Sequence, residues 1–423
     1  MTGSLPASAN VVIVGAGAAG LATAIFTRRL NPTVSVLLLD GAKKPGAKIL
    51  VSGGGRCNVT NASVSESDFW GGRPAIIRRV LRALPVPDTI AFFREIGVTL
   101  HEEDRGRLFP DSNRARDVLD ALLGEVAGRG ALLLADHRVL GVRQTDDGFL
   151  VSTRQGDVRA DAVVLATGGR ALPKSGSDGA GLEFARALGH TIIPTTPALV
   201  PLVAARTEDE GLHRELSGVS QEVELEVWVD GRVAVRLGGS LLWTHFGVSG
   251  PAALDASRHW LRAQLEGSNV RLTVNFCPGR QFDDLEARWI ALSRARPNAS
   301  AQSALGTILP AAVAAAIARR LRPPPDLTLA HLARDERRRI VHALVQWPLE
   351  LAGTRGYTYA EATAGGVDLA EISPVTMESR VCRSLFLVGE MLDVDGRIGG
   401  FNFQWAWSSA RVAARALAAR GPR

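Results

Sequence analysis

Two glycine-rich stretches carry the residues best suited to chemistry. The first, VVIVGAGAAGLATA (11–24), spaces Gly15, Gly17 and Gly20 as GxGxxG directly after an apolar run. In this spacing the first glycine permits a tight turn, the second lets backbone approach a pyrophosphate, and the third admits close helix packing. The helix that follows begins with free N–H groups and a positive dipole end, which together favour phosphate. Asp40 closes the next apolar run, VSVLLLD, 20 residues past Gly20. A carboxylate there accepts from a ribose hydroxyl. Strand, glycine turn, helix, strand and acid in register predict a bound dinucleotide.

The second stretch, KILVSGGGRCNVTN (48–61), admits four readings: a phosphate cradle, a redox cysteine, a glycosylated loop at Asn58, or a flexible turn. A Walker A loop needs glycine directly before lysine, and Ala47 separates Gly46 from Lys48. Glycosylation needs a secreted chain, yet MTGSLPASAN has no basic leader region, so a cytoplasmic location is expected. Cys57, Cys277 and Cys382 form no CxxC or metal-ligand spacing, and Cys57 has no neighbouring cysteine or histidine to activate it. It reads as a small packed residue. What remains is a second wall of the dinucleotide site, with Arg56 donating to phosphate or to carbonyl oxygens of the cofactor. Only four of the 49 basic residues are lysine. Lys43, Lys44 and Lys48 sit just before this stretch and Lys174 follows ATGG, which is either chance or a use for a compact ammonium.

These residues need elements to hold them. Residues 10–40 read as a βαβ unit, 114–128 has helical spacing, and 160–168 is a buried strand running into glycines. Prolines interrupt the chain at PTTPALVPL (194–202). VELEVWVDGRVAVRL then alternates about Asp230-Gly231 as a hairpin, and VRLTVNF (270–276) continues the β character. The pattern turns helical over 281–339 and is expected to re-enter a sheet at RIVHALVQWPLEL. SLFLVGE (384–390) reads as a strand, and a long helix starts at NFQWAW. The fold class is therefore α/β, with a doubly wound parallel sheet interrupted by a β insertion that itself holds a helical insertion. The expected boundaries are 1–194 with 363–423 for the dinucleotide domain, 195–280 with 340–362 for the β insert, and 281–339 for the helical insert.

Alanine-rich GAGAAG, a second strand-to-glycine element at VVLATGG, and a third at LFLVGEMLDVDGRIGGFN favour FAD over NAD, since an extended cofactor draws on both chain ends. Gly399-Gly400-Phe401-Asn402 precedes the last helix, so its N–H groups can face the flavin edge where negative charge gathers on reduction. No second GxGxxG with its own strand and acid is present. NAD(P)H then visits transiently as donor, or another donor serves. The formal charge of +6 and pI near 9.8 permit nucleic acid, but the basic residues are scattered and RDERRR (334–339) alternates sign, so nucleic acid is not the favoured partner. No apolar run is long enough for a membrane span. THFGVSGP (244–251) and GRLFP (106–110) are placed beside the substrate. His245 is a candidate proton donor or acceptor with Ser249, Arg107 and Tyr357 as polar partners, although a lone histidine is also an ordinary structural hydrogen-bonder.

Together these segments resemble bacterial NAD(P)/FAD-dependent oxidoreductases, variously labelled BaiN-type reductases or aminoacetone-oxidase-like FAD-binding enzymes. The resemblance rests on VIVGAGAAGLATA, KILVSGGGRCNVTN, GRLFPDSNRARDVLDAL, DAVVLATGG with PKSGSDGAG, SLLWTHFGVSGPAALDAS, TAGGVDLAEISPVTMESR and LVGEMLDVDGRIGGFNFQWAWSSA. It implies an FAD domain split around a β-barrel-like insertion with its own helical insertion. It also implies FAD contacts at Gly15, Gly17, Ala18, Ala19, Gly20, Asp40, Lys48, Gly54, Arg56, Cys57 and Asn58. They continue at Ala166, Thr167, Gly168, Gly389, Glu390, Asp395, Gly400, Phe401 and Asn402. Asp40 stands where such proteins more often have Glu, Phe401 where Tyr is commoner, and Trp243 where Phe is commoner, which leaves the substrate pocket open. The function implied is hydride transfer between flavin N5 and a small organic substrate. A non-catalytic flavoprotein sensor and an FAD protein acting on RNA are the alternatives.

Overall fold

In the computed structural model, residues 4–206, 211–321 and 328–420 are described, and they form two compact units. The first unit runs to Ala198 and resumes at Tyr357; the second spans Leu199–Gly356.

Val11–Val14 and Val36–Leu39 are apolar on both faces, as strands buried between two layers must be. They pair in parallel, Val11 opposite Val36, and Ser8–Val14 pairs in parallel on its other side with Gly156–Leu165. Leu132–Leu134 extends the sheet beyond Val36–Leu39, and Leu385–Leu387 joins the far end of Gly156–Leu165, again in parallel. The early half of Gly156–Leu165 instead takes an antiparallel neighbour, Gly148–Thr153, followed by Val139–Thr145. The result is a seven-stranded, mostly parallel Rossmann-like sheet. Helices Ala18–Leu30, Ala115–Gly128 and Phe401–Ala418 pack with it around one continuous apolar core. Trp405 and Trp407 are among its largest fully buried side chains. Burying an apolar side chain of this kind contributes about 1.5–3 kcal/mol.

Three small sheets complete this unit; one pairs Phe69–Gly71 with Val394–Gly396, antiparallel. Thr60–Asn61, Leu100–Glu103 and Arg107–Pro110 form a three-stranded antiparallel sheet. Ile192–Ala198 pairs antiparallel with Ala362–Val367.

In the second unit seven strands follow the order Trp347–Leu349, Val270–Asn275, Ser220–Val229, Arg232–Thr244, Gly247–Ser249, Leu202–Ala204, Leu351–Thr354, every pair antiparallel. The two edge strands are consecutive in the chain, separated by Glu350 alone, so the sheet has to curl until its edges nearly meet. The hairpin turns at Asp230-Gly231, whose φ values of 49° and 82° suit the turn and matched the sequence reading. Helices Phe282–Ala295, Ala301–Leu305, Ala311–Leu321 and Arg334–Val345 lie in the stretch read as helical and run past its expected end, residues 322–327 lying outside the described residues. One expectation needs correction. RIVHALV does not re-enter the sheet: Ile340, Val341 and Leu344 are buried on one helical face, and extended backbone begins only at Trp347. Among the described residues no helix is long and apolar enough to cross a membrane.

Candidate dinucleotide site

The first glycine turn is shaped by steric exclusion. Gly15 has φ +101°, and a Cβ there would lie 2.6 Å from the Ala166 carbonyl oxygen. A Cβ at Gly20 would fall 1.9 Å from the Gly15 carbonyl oxygen, so the helix packs onto the turn only because that position is bare. Gly17 differs: nothing lies within 4 Å of its would-be Cβ, which leaves backbone open to an approaching group. Gly17 caps Ala18–Leu30 without any side-chain hydrogen bond, so the first N–H groups of that helix stay available. Both Asp40 oxygens are engaged, Oδ2 by the Ala16 N–H at 2.7 Å and Oδ1 by the Ala42 N–H at 2.8 Å. The carboxylate ties the end of its strand to the glycine turn and keeps one further lone pair per oxygen.

The second turn is built differently. Ala47–Val51 is helical, Ser52 leaves the helix at ψ 148°, and Gly53, Gly54 and Gly55 follow at φ 56°, 69° and 86°. Three consecutive left-handed residues explain the triple glycine. No heavy atom lies within 4 Å of a Cβ built on Gly54, whereas one on Gly53 would meet the Phe109 ring at 2.9 Å. The turn is then anchored to the far end of the chain. With its amide oriented so that every atom finds a partner, Asn58 accepts from the Gly400 N–H at 3.1 Å and donates to the Thr60 and Leu108 carbonyls. Trp407 Nε1 donates to the Val59 carbonyl at 2.9 Å, Thr60 Oγ1 donates to Gln404 Oε1 at 2.6 Å, and Asn61 Nδ2 donates to the Gly399 carbonyl at 3.1 Å. Gly400 caps Phe401–Ala418 at φ +93°, again with no side-chain cap, and a Cβ there would strike Thr60 backbone at 2.5 Å. The same helix holds the Leu385–Leu387 region through Trp405 Nε1, which donates to the Gly389 carbonyl at 3.1 Å, and Ser409 Oγ, which accepts from the Gly389 N–H. Asn402 brackets Gly396 with two hydrogen bonds of 2.9 Å, and Asp395 lies buried opposite Trp70 in the short strand pair there.

Cys57 is packed as its residue type suggests, and Arg56 carries a protein partner that the sequence did not show. Arg56 is paired rather than free: its Nη atoms reach Glu103 at 2.5 and 3.2 Å, and its guanidinium lies 4.1 Å from the Phe109 ring centre. The Arg56 hydrogen bond holds the Glu103 carboxyl below the usual range. Arg107 reaches toward the same Glu103 at 3.8 Å. Cys57 is fully buried at φ 65°, and burial pushes its thiol up to about 12, so it is protonated at neutral pH and unreactive.

Lys48 Nζ meets Glu390 Oε2 at 2.6 Å, and Glu390 Oε1 accepts from Thr363 Oγ1 at 2.8 Å. Sequence reasoning left Thr363 unassigned, although TAGGV was among the stretches carrying the resemblance. Ser177, in PKSGSDGAG, was also passed over; its Oγ is buried without a partner and lies 2.7 Å from where a Gly168 Cβ would be. Of the candidate acid–base residues, Arg107 and Tyr357 belong to the first unit, where the Tyr357 hydroxyl donates to Thr195 Oγ1 at 2.9 Å. His245 and Ser249 belong to the second unit; His245 is exposed and edge-on to Phe246.

Two uncapped helix starts, two open glycines at Gly17 and Gly54, an orphaned Ser177 hydroxyl and a half-buried ammonium at Lys48 suit a phosphate-bearing, polyol-containing cofactor. An extended dinucleotide such as FAD fits this set. Ala166, Thr167 and Gly168 follow the strand beside the first turn, with the Ala166 N–H bonded to the Val14 carbonyl next to Gly15.

Comparison with known proteins agrees. The chain is 34% identical over 410 residues to a ribosomal RNA dihydrouridine synthase of Escherichia coli, covering 97% of this chain and 98% of that one. It is 31% identical over 411 residues to a 3-dehydro-bile acid delta(4,6)-reductase of Clostridium scindens, covering 97% and 99%. Among solved structures, a variant of the FrdA subunit of Escherichia coli quinol fumarate reductase shares the fold at a TM-score of 0.52 and 14% identity, over 98% of this chain and 70% of that one. Residues 9–416 match the HI0933-like protein Rossmann domain, and the chain belongs to this family of FAD-dependent oxidoreductases.

Proposed function

We propose that this oxidoreductase saturates a carbon–carbon double bond conjugated to a carbonyl, using electrons that NAD(P)H delivers to the bound flavin. One observation carries the reading. Two relatives, each about equally similar over almost the whole chain, are named for making dihydrouridine and for reducing a 3-dehydro-bile acid at delta(4,6). Both reactions add hydride and proton across an alkene polarised by a ring carbonyl, and the shared chemistry is the part that transfers to this chain.

The residues described above would hold FAD, which would supply hydride chemistry at flavin N5. The chain's own tasks are to orient the carbonyl compound, draw charge onto its oxygen and deliver a proton to the α-carbon. His245 is the proposed proton carrier, with Ser249 of its own unit as a polar partner; Arg107 and Tyr357 are the polar candidates of the other unit. The uncapped start of Phe401–Ala418 has N–H donors and a positive dipole end that would stabilise negative charge on a flavin bound beside it. The substrate is a small organic molecule in this reading. A uracil ring within ribosomal RNA is the second reading, favoured by dihydrouridine synthases in both Escherichia coli and Haemophilus influenzae among the relatives.

Anaerobic mixing with NADH or NADPH tests the donor, and bleaching of the flavin absorbance is the expected result. Reoxidation by a cyclic enone or by dihydrouridine-free ribosomal RNA then separates the two substrates. A flavin that only dithionite reduces, and that neither acceptor reoxidises, would return the chain to a non-catalytic role. His245→Ala is expected to slow reoxidation at least tenfold while leaving reduction by NAD(P)H intact; equal reoxidation rates would remove His245 from the chemistry.

A further inference from the structure

Thr363 is fully buried and its hydroxyl is saturated. Oγ1 accepts from the Arg170 N–H at 2.8 Å and the Ala171 N–H at 3.0 Å, and it donates to Glu390 Oε1 at 2.8 Å. One donor and two acceptor sites are all a hydroxyl has. Glu390 in turn holds Lys48 Nζ at 2.6 Å. Three segments far apart in sequence, at positions 48, 363 and 390, therefore meet at the turn that follows ATGG.

The second glycine of that motif is bare because of this cluster. A Cβ on Gly169 would lie 2.4 Å from Thr363 Oγ1 and 3.0 Å from Glu390 Oε1. Gly168 turns at φ +72°, and its would-be Cβ is 4.0 Å from Lys48 Nζ. The side chain of Lys48 is 24% exposed, and its ammonium has one protein partner among the described residues, which leaves two N–H donors for a ligand. A compact ammonium tolerates this narrow space, where a planar guanidinium would need a wider fork of acceptors. That accounts for one of the chain's few lysines standing here rather than another arginine.

We infer that Thr363 is a positioning residue of the cofactor groove: it fixes the Glu390 carboxylate, and through it the Lys48 ammonium, at the Gly168–Gly169 turn. There the pair presents a matched acceptor and donor to the hydroxyl and phosphate oxygens of an extended dinucleotide. The inference rests on the FAD reading. It adds that Lys48, Thr363 and Glu390 act as a unit, and that Thr363 works without touching the cofactor.

The test is FAD affinity of the full-length apoprotein, read by recovery of flavin fluorescence quenching, in wild type, Thr363→Val, Thr363→Ser, Glu390→Gln and Thr363→Val/Glu390→Gln. Thr363→Val keeps the shape and loses the hydroxyl. It is expected to weaken FAD binding about tenfold, the effect of one hydrogen bond to a charged group. Thr363→Ser keeps the hydroxyl and should bind within about threefold of wild type. The double variant should bind no more weakly than Glu390→Gln alone, since both changes break one linkage. Wild-type affinity in Thr363→Val, with only its melting temperature lowered, would make Thr363 a fold residue and overturn the inference. Additive losses in the double variant would overturn it too. A wild-type chain that takes up no FAD would instead refute the cofactor reading itself, which the same titration reveals first.

Discussion

The two glycine turns of the first unit make one wall each of the candidate site, yet they are held by opposite means. Gly15–Gly20 is set mainly from within the first 40 residues, by the Asp40 carboxylate, the Gly15–Gly20 approach and the Val36–Leu39 strand, with the Ala166 backbone added by the neighbouring parallel strand. Gly53–Asn58 is set by residues some 340 positions away, through Trp407, Gln404, Gly399 and Gly400. Local sterics fix the first, and the final helix fixes the second. A change at the first turn should therefore abolish folding or binding outright. A change in the anchors of the second should weaken it by degrees.

The largest effect belongs to Gly20→Val. Its Cβ would overlap the Gly15 carbonyl at 1.9 Å, so the first unit should fail to fold, seen as insoluble protein. Gly17→Ala sharpens the point, because nothing within 4 Å opposes the new methyl. Its melting temperature should stay near wild type while bound flavin is lost, and retained flavin would mean that no phosphate approaches this backbone.

Trp407→Phe should be milder. It leaves the buried Val59 carbonyl without its donor, for about 1–3 kcal/mol by chemical denaturation, with FAD affinity falling in step. If affinity stays constant while stability falls, the far helix holds the fold and not the cofactor wall.

The smallest effect separates two roles for Arg56. If Arg56 braces the turn through Glu103, Glu103→Gln should reproduce much of the flavin loss of Arg56→Ala; if it reaches the cofactor directly, Glu103→Gln should leave occupancy unchanged. The pair also carries a pH signature. Arg56 depresses the folded pKa of Glu103, so the pair's stabilisation is whole above the ordinary carboxylate range, near pH 4.3. It is lost as pH falls through the lowered folded value. The stability gap between wild type and Arg56→Ala should thus close in acid and persist at neutral pH, which thermal melts across pH 3–7 would show.

Much of this was legible in the residues themselves. GxGxxG followed by Asp40, the Asp230-Gly231 hairpin and the last helix are local patterns, in which each residue's neighbours along the chain state its environment. The helical stretch RIVHALV misled because a short apolar run suits strand or helix alike, and packing against Phe282–Ala295 makes the choice. The partners of Arg56 were not legible for a related reason: Glu103 and Phe109 come from two other strands, Leu100–Glu103 and Arg107–Pro110.

Periodicity and spacing along the chain were enough for the α/β class, the order of the elements and the dinucleotide turn, because these depend mostly on residues close in sequence. That SGGGRCN leans on the last helix, and that Thr363 joins Glu390 and Lys48 behind ATGG, came from the folded arrangement alone. Those contacts join residues up to several hundred positions apart. Nothing in a one-dimensional pattern encodes such distances until burial of the apolar core brings the segments together.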